Sequence, residues 1–402
     1  MIRSPTRERT SSTWRDSITV MVLAGLISAG PVSAQTLDIS GYFENTLQID
    51  YTAQTKEQLL NAAKLRLDFS SSVSNGLEFT GNINFIVNVG AIERDIRPYL
   101  PDAAALALES AGAATTYSLS GSRTFLDNAY LTWLAGPVRL RLGKQQLSWG
   151  PAYSYNPTDL FHRKNLLDPT YEKEGVTAIR TDYRWGVGGQ LSVIAVPNED
   201  FASSGYAARF ATHIESIGYD IAVTAHRVQD STAIDPTTLR STMQRRSALG
   251  VELSGELLGL GAWLEGNYNW MQHDSDFTRF VLGIDYTLTD GTYLLAEALY
   301  SGRSQLDRPY ALGDWLANLY FGEPIGTGWI MAGIRRDISE LTLASVYLFA
   351  TPDGSLLVNP RVDTSVAQNA DLVLFGAFTL GREDGAFPSG LYSLLCRASV
   401  YF

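Results

Sequence analysis

The chain has only one cysteine, Cys396, and four histidines among its 402 residues. A single thiol cannot form an intrachain disulfide, so the fold must be held by burial or by a closed hydrogen-bond ladder. The histidines (His162, His213, His226, His273) are scattered, and no HExxH, GxSxG or glycine-rich phosphate loop occurs. These absences argue against an enzyme and predict no cofactor and no metal. Basic excess is missing too: 31 Lys and Arg face 42 Asp and Glu, a net charge of −11, opposite to the balance a nucleic-acid partner requires. After residue 34 no run of eighteen apolar residues exists, so no helix of that part of the chain is expected to span a bilayer.

Residues 1–34 read as a cleaved signal peptide. Arg3, Arg7, Arg9 and Arg15 precede the apolar run Ile18 to Ile27, and Val32, Ser33 and Ala34 supply a small-residue cleavage site before Gln35. Loss of these four arginines with Glu8 and Asp16 leaves 27 basic and 40 acidic residues, a net charge of −13. The remainder, 35–402, reads as one exported domain.

What that remainder has in abundance is alternation. Leu37, Ile39, Gly41, Phe43, Leu47 and Ile49 alternate with Asp38, Ser40, Tyr42, Glu44, Thr46 and Gln48, and Ala63, Leu65, Leu67 and Phe69 with Lys64, Arg66, Asp68 and Ser70. Such period-two segments recur with turn signals roughly every ten residues. Short turns, as at Ser74–Gly76 and Ala135–Pro137, alternate with longer connections, including Ala91–Ser122, Trp149–Lys173, Gln229–Gln244 and Arg303–Gly326. The pattern predicts an all-β fold, a transmembrane antiparallel up-and-down β-barrel with short periplasmic turns and long external loops. Strands starting near 37, 60, 77, 123, 138, 174, 187, 205, 218, 245, 260, 278, 292, 327, 341, 355, 371 and 391 give about eighteen, with sixteen as the alternative. A barrel of that size is wide enough for an aqueous channel. Pro101–Ser110 and Ala311–Phe321 read as short helices within external loops.

The strand parities assign Lys64, Arg66, Glu252, Glu265, Asp285 and Glu297 to the lumen wall, with Arg139, Arg141 and Arg180 also facing inward. The segment 149–173 holds three prolines, the aromatics Trp149, Tyr153, Tyr155 and Phe161, and the charges Asp159, Arg163, Lys164, Asp168 and Glu172. Leaving those rings wet is costly, at about 25 cal/mol per Å² of apolar surface, so the loop is expected to fold inward onto the wall. The chain closes on LYSLLCRASVYF, an amphipathic strand ending in Phe402, similar to the terminal signal that outer-membrane barrels present to the barrel assembly machinery.

The run DNAYLTW, RLGKQQLSWG, NPTDLF and DPTYEKEGV, with the later DGSLLVNPRVD, resembles a broad group of porin-like Gram-negative barrels that overlaps alginate-export-like and DUF1302-type proteins. The resemblance implies that the loop after the Trp-Gly pair enters the lumen, with Gln145, Trp149, Asn156, Asp159, Arg163 and Glu174 at the constriction. Arg139, Arg141, Lys164 and Arg180 are expected to add positive charge beside it. The acidic balance departs from the arginine-lined pore of an exopolysaccharide exporter. The resulting expectation is an outer-membrane channel for passive diffusion of small polar or charged solutes, in contact with lipid and lipopolysaccharide, with homo-oligomerisation left open. The alternative is a non-conducting barrel that binds or exports surface polysaccharide.

Overall fold

The computed structural model describes residues 37–402 apart from 53–56, 75, 111, 113–114, 163–172, 187, 235–240, 305–309 and 388. The leader, Arg163 and Lys164 therefore lie outside the described residues. The strands are β1 (Leu37–Tyr51), β2 (Gln58–Ser74), β3 (Leu77–Gly90), β4 (Glu93–Asp95), β5 (Thr116–Ser118), β6 (Ser122–Ala135) and β7 (Val138–Gln145). They continue as β8 (Val176–Trp185), β9 (Gly189–Val196), β10 (Gly205–Ile214), β11 (Tyr219–Ile234), β12 (Ser241–Leu257), β13 (Leu260–Met271) and β14 (Phe277–Thr287). The last are β15 (Tyr293–Ser301), β16 (Gly328–Ser339), β17 (Thr342–Ala350), β18 (Leu356–Ala367), β19 (Ala370–Leu380) and β20 (Tyr392–Tyr401). Two helices, α1 (Asp102–Ser110) and α2 (Leu312–Phe321), sit in the connections after β3 and β15.

Eighteen strands form one sheet, and β4 pairs only with β5. Every barrel strand is antiparallel to its neighbours, and β1 pairs with both β2 and β20, so the sheet closes on itself. Closure leaves no strand edge without a ladder partner, the condition for crossing lipid without helices. At the seam Phe402 and Gly41 exchange both backbone hydrogen bonds at 3.0 Å. A Cβ on Gly41 would stand 2.2 Å from the Arg66 carbonyl oxygen and 3.1 Å from the Phe402 ring, so the closing residue needs a glycine opposite it.

Burial fixes which face is which. On β13 Leu264 is 37% exposed while its neighbour Glu265 is 0% exposed, the reverse of a soluble protein's pattern. The outer surface is apolar and the inner face polar. Outward aromatics gather at the strand ends: Trp133, Tyr183 and Tyr286 near the short turns, and Tyr51, Trp270 and Tyr300 near the long loops. These two girdles mark the interfaces of a transmembrane barrel.

The expected strand starts agree with the observed ones to within a few residues, and both short helices form where the proline and aspartate signals put them. One connection differs: Gln229–Gln244 is mostly strand, because β11 runs to Ile234 and β12 begins at Ser241. In the closing motif, Pro360 lies opposite Gly376 and has no N–H to give it; the Asn359 side chain donates to the Gly376 carbonyl instead, at 3.3 Å. At the external end α1 and α2 bring Ile96, Leu100, Leu108, Trp315, Leu316, Ile325 and Ala386 together in an apolar cluster.

Candidate functional site

The segment from 146 to 175 leaves β7 on the external side and returns in β8. Its first turn is fixed by Gln145, fully buried, whose Nε2 donates to the Ala178 carbonyl at 3.1 Å. Leu147 and Trp149 then pack with Ala178, Ile194 and Ala207 on the inner face of β8 to β10. The Trp149 ring stands edge-on to His226, at 5.2 Å between centroids, and to Phe161 at 6.3 Å. Trp149 and Phe161 are thus placed on the wall.

The next step explains the glycine of the Trp-Gly pair. Gly150 has φ +91°, and a Cβ there would lie 2.3 Å from a Glu265 carboxylate oxygen. The backbone passes directly over that carboxylate, which accepts from Ala152 N–H (3.2 Å), the Asn156 side-chain amide (2.9 Å) and Thr158 N–H (2.8 Å). The Thr158 hydroxyl lies 2.8 Å from Glu265 and 2.9 Å from Glu252, and Glu252 in turn is paired with Arg209 at 2.6 Å. On β15 Glu297 accepts from Tyr153 N–H, from Ser154 N–H at 2.6 Å and from Trp263 Nε1 at 2.8 Å. The loop's backbone donors are therefore satisfied by two buried carboxylates of the facing wall, Glu265 and Glu297, and the Thr158 hydroxyl reaches a third, Glu252. A buried N–H left without an acceptor would cost about 1–3 kcal/mol.

Further contacts reach β14, β16 and β17. The Tyr153 hydroxyl is 2.7 Å from that of Tyr347 with the rings stacked, and Trp329 Nε1 donates to Ser154 at 3.4 Å. Arg279 donates to the Tyr155 hydroxyl at 2.5 Å and pairs with Glu323 from the loop after α2. Asp159 accepts from the backbone N–H of Phe161 and His162 and from Lys173 at 3.0 Å, joining the two described ends of the loop. Burial pushes the Asp159 carboxyl up, opposed by Lys173. Burial and the Lys173 charge push the His162 imidazole down to about 4, in keeping with its Nε2 accepting from Leu147 N–H at 3.3 Å.

Of the expected constriction residues, Gln145, Trp149, Asn156 and Asp159 come together on this loop. Glu174 lies at its exit and pairs with Arg123 at 2.9 Å, both about a third exposed. Arg139, Arg141 and Arg180 do not flank the loop. They lie toward the short-turn ends of β7 and β8, with Arg139 opposite Asp182 and Arg141 opposite Arg180. Arg139 and Arg141 are five to seven residues from the loop's first residue, roughly 15–25 Å along a strand. On the wall, Lys64 donates to the Tyr42 hydroxyl at 2.6 Å, Arg66 pairs with Asp68 at 2.8 Å, and Asp285 accepts from the Tyr293 hydroxyl at 2.7 Å. Sequence reasoning missed Ser154, Thr158, Asn267, Glu323 and Tyr347. Ser154, Thr158 and Glu323 sit in irregular segments where parity gives no face, and Asn267 and Tyr347 act only through a loop folded onto them. Among the described residues no three His, Cys, Asp or Glu side chains gather as a metal site.

A closed barrel of eighteen antiparallel strands with an apolar outer belt defines the architecture of outer-membrane porins. Among solved structures the chain is similar to Pseudomonas aeruginosa OccK11 (OpdR), with a TM-score of 0.57 and 12% identity over 91% of this chain and 96% of that one. It is also similar to the outer membrane protein OpdK of Pseudomonas aeruginosa, with a TM-score of 0.55 and 12% identity over 91% and 98% of the two chains. Acinetobacter baumannii OccAB1 gives a TM-score of 0.55 at 9% identity, over 91% and 96%. At these identities the likeness is one of fold. No family model matches the chain, and no curated protein matches it in sequence.

Proposed function

We propose that this protein, exported with removal of residues 1–34, is an outer-membrane channel for passive diffusion of small polar or charged solutes, and that the loop 149–173 narrows its pore. We place it with the porin-like barrels that its middle segment resembles, the DUF1302-type and alginate-export-like group, and assign Phe402 as the signal read by the assembly machinery. The observation that carries the reading is the attachment of Ala152, Tyr153, Ser154 and Thr158 to Glu265 and Glu297, six to eight barrel strands along the wall from the loop's origin on β7. A loop anchored that far around a closed wall takes up lumen cross-section. Loops of this kind in compact proteins are commonly functional.

The test is single-channel conductance in planar bilayers. The protein should give discrete open steps, and deletion of Tyr153 to Asn165 in correctly assembled, heat-modifiable barrels should raise the conductance. Unchanged conductance after that deletion removes the loop from the pore. Complete silence of the intact protein together with retention on a glycan matrix would favour the polysaccharide-binding alternative.

A further inference from the structure

The inner wall carries a second charged region, remote from the loop, on β7 and β8. Four guanidinium groups, Arg139, Arg141, Arg180 and Arg184, share it with one carboxylate, Asp182. The charges acting on Arg139 are those of Arg184, Arg141, Asp182 and Arg180. Asp182 accepts on Oδ1 from Arg180 Nε (2.9 Å), Gln190 Nε2 (3.2 Å) and Ser192 Oγ (2.6 Å), while its Oδ2 is buried without a hydrogen-bond partner. Among the described residues Arg184 reaches the neutral Gln190 side chain, at 3.3 Å, and no carboxylate. Arg141 lies over the Tyr130 ring, at 5.3 Å to its centroid, and its Nε is buried without a hydrogen-bond partner. Among the described residues neither Arg139 nor Arg141 forms an ion pair.

Like charges directly opposite each other on neighbouring strands destabilise a sheet. Arg141 faces Arg180 in register, and Asp182, paired with Arg180, offsets only part of the positive charge of these four guanidinium groups. The forked donors of arginine match the oxygens of a carboxylate or phosphate, and such charge-assisted bonds are about twice as strong as neutral ones. The stacking of Arg141 on Tyr130 holds one fork in place before any ligand arrives.

We propose that Arg139, Arg141 and Arg184, backed by Arg180, form a binding station for a small multivalent oxyanion at the periplasmic end of the lumen. It deepens the channel reading by naming a solute class and a place where such a solute pauses. The opposite side of the same mouth is acidic. A concavity of ≈ 520 Å³ there is lined by Glu44, Asp337, Glu340, Asp363 and Asp371, with Arg361 and Arg397 paired to Asp363 and Glu44.

The probe is inorganic phosphate, titrated into the folded, full-length barrel in detergent at low ionic strength and followed by calorimetry or phosphorus NMR. Saturable binding is expected, weakened about tenfold or more in R139Q/R141Q/R184Q and unchanged in R361Q, each confirmed folded by heat-modifiability. Should the triple variant fail to assemble, R141Q alone replaces it, with a loss of about threefold expected. Absence of saturable binding, or equal binding by the arginine variants, overturns the station. Binding does not require conduction, so a barrel that binds phosphate but passes no current refutes the channel and keeps the station, and one that conducts but binds nothing does the reverse.

Discussion

The wall beneath the loop and the wall at the periplasmic end of β7 and β8 use charge in opposite ways. Glu252, Glu265 and Glu297 are all but fully buried, and their oxygens accept hydrogen bonds from the loop or its neighbours. Arg139, Arg141 and Arg184 remain without a carboxylate partner among the described residues, and Arg184 is exposed. The first arrangement is structural: a saturated carboxylate holds a loop and has little left for a solute. The second leaves charge available at a small standing cost. Inward parity and charge sign do not separate these cases; the saturation of each group does.

The contrast is broken most severely at the carboxylates. E265A/E297A leaves the backbone donors of Ala152, Tyr153, Ser154 and Thr158 without acceptors, each worth about 1–3 kcal/mol. The loop should detach, seen as faster trypsin cleavage within residues 150–173 and a lower unfolding temperature in detergent. Equal cleavage rates for the variant and the native barrel would show that the carboxylates do not hold the loop. A smaller loss is expected from G150A, which combines a left-handed backbone with a collision against Glu265, about 1–3 kcal/mol in all. Its signature is a lowered unfolding temperature with unchanged assembly, and an unaffected temperature would mean that the loop shifts at no cost.

The pH dependence of loop attachment is gentler. His162 is held neutral in the folded loop, with its imidazole pushed down to about 4 from the ordinary 6.5, so below 6.5 the detached loop takes up the proton more readily. Attachment should weaken as pH falls from about 6.5 to about 4 and then level off, and H162Q should flatten that part of the profile. A profile that keeps its slope in H162Q assigns it to other groups; Asp159 is not one of them, since a carboxyl pushed up by burial strengthens attachment as pH falls. The smallest effect has the opposite sign. R141Q removes the charge facing Arg180 and should stabilise the barrel by a few tenths of a kcal/mol, a gain that shrinks in high salt. Destabilisation instead would mean that Arg141 is held by contacts beyond its stack on Tyr130.

How much of this was legible beforehand divides along the same line. Leu264 and Glu265, or Leu282 and Val281, sit on opposite faces because a strand has a period of two, and that period is written in the sequence. Strand number, the side of each connection and both helices follow from it and from turn residues. The cost of wet aromatics was the sequence's argument for an inward course of the loop. Its partners could not be named, since an irregular segment has no period from which a face can be read. The placement of Arg139 and Arg141 beside the loop went wrong for a simpler reason: nearness in sequence along an extended strand is distance in space, at about 3.3 Å per residue.

By itself, then, the sequence determined a closed barrel with a wet inside, because alternation sorts every strand's side chains between two solvents and closure alone pairs every strand. The tertiary structure alone decided that Gly150 rides over Glu265, that Thr158 bridges two glutamates, and that Arg141 faces Arg180 with no carboxylate of its own among the described residues. Such meetings join segments as far as 194 residues apart, as for Tyr153 and Tyr347, and they depend on the register of one strand against another around the whole circumference. No local pattern carries that register; it is fixed only when the last strand pairs with the first.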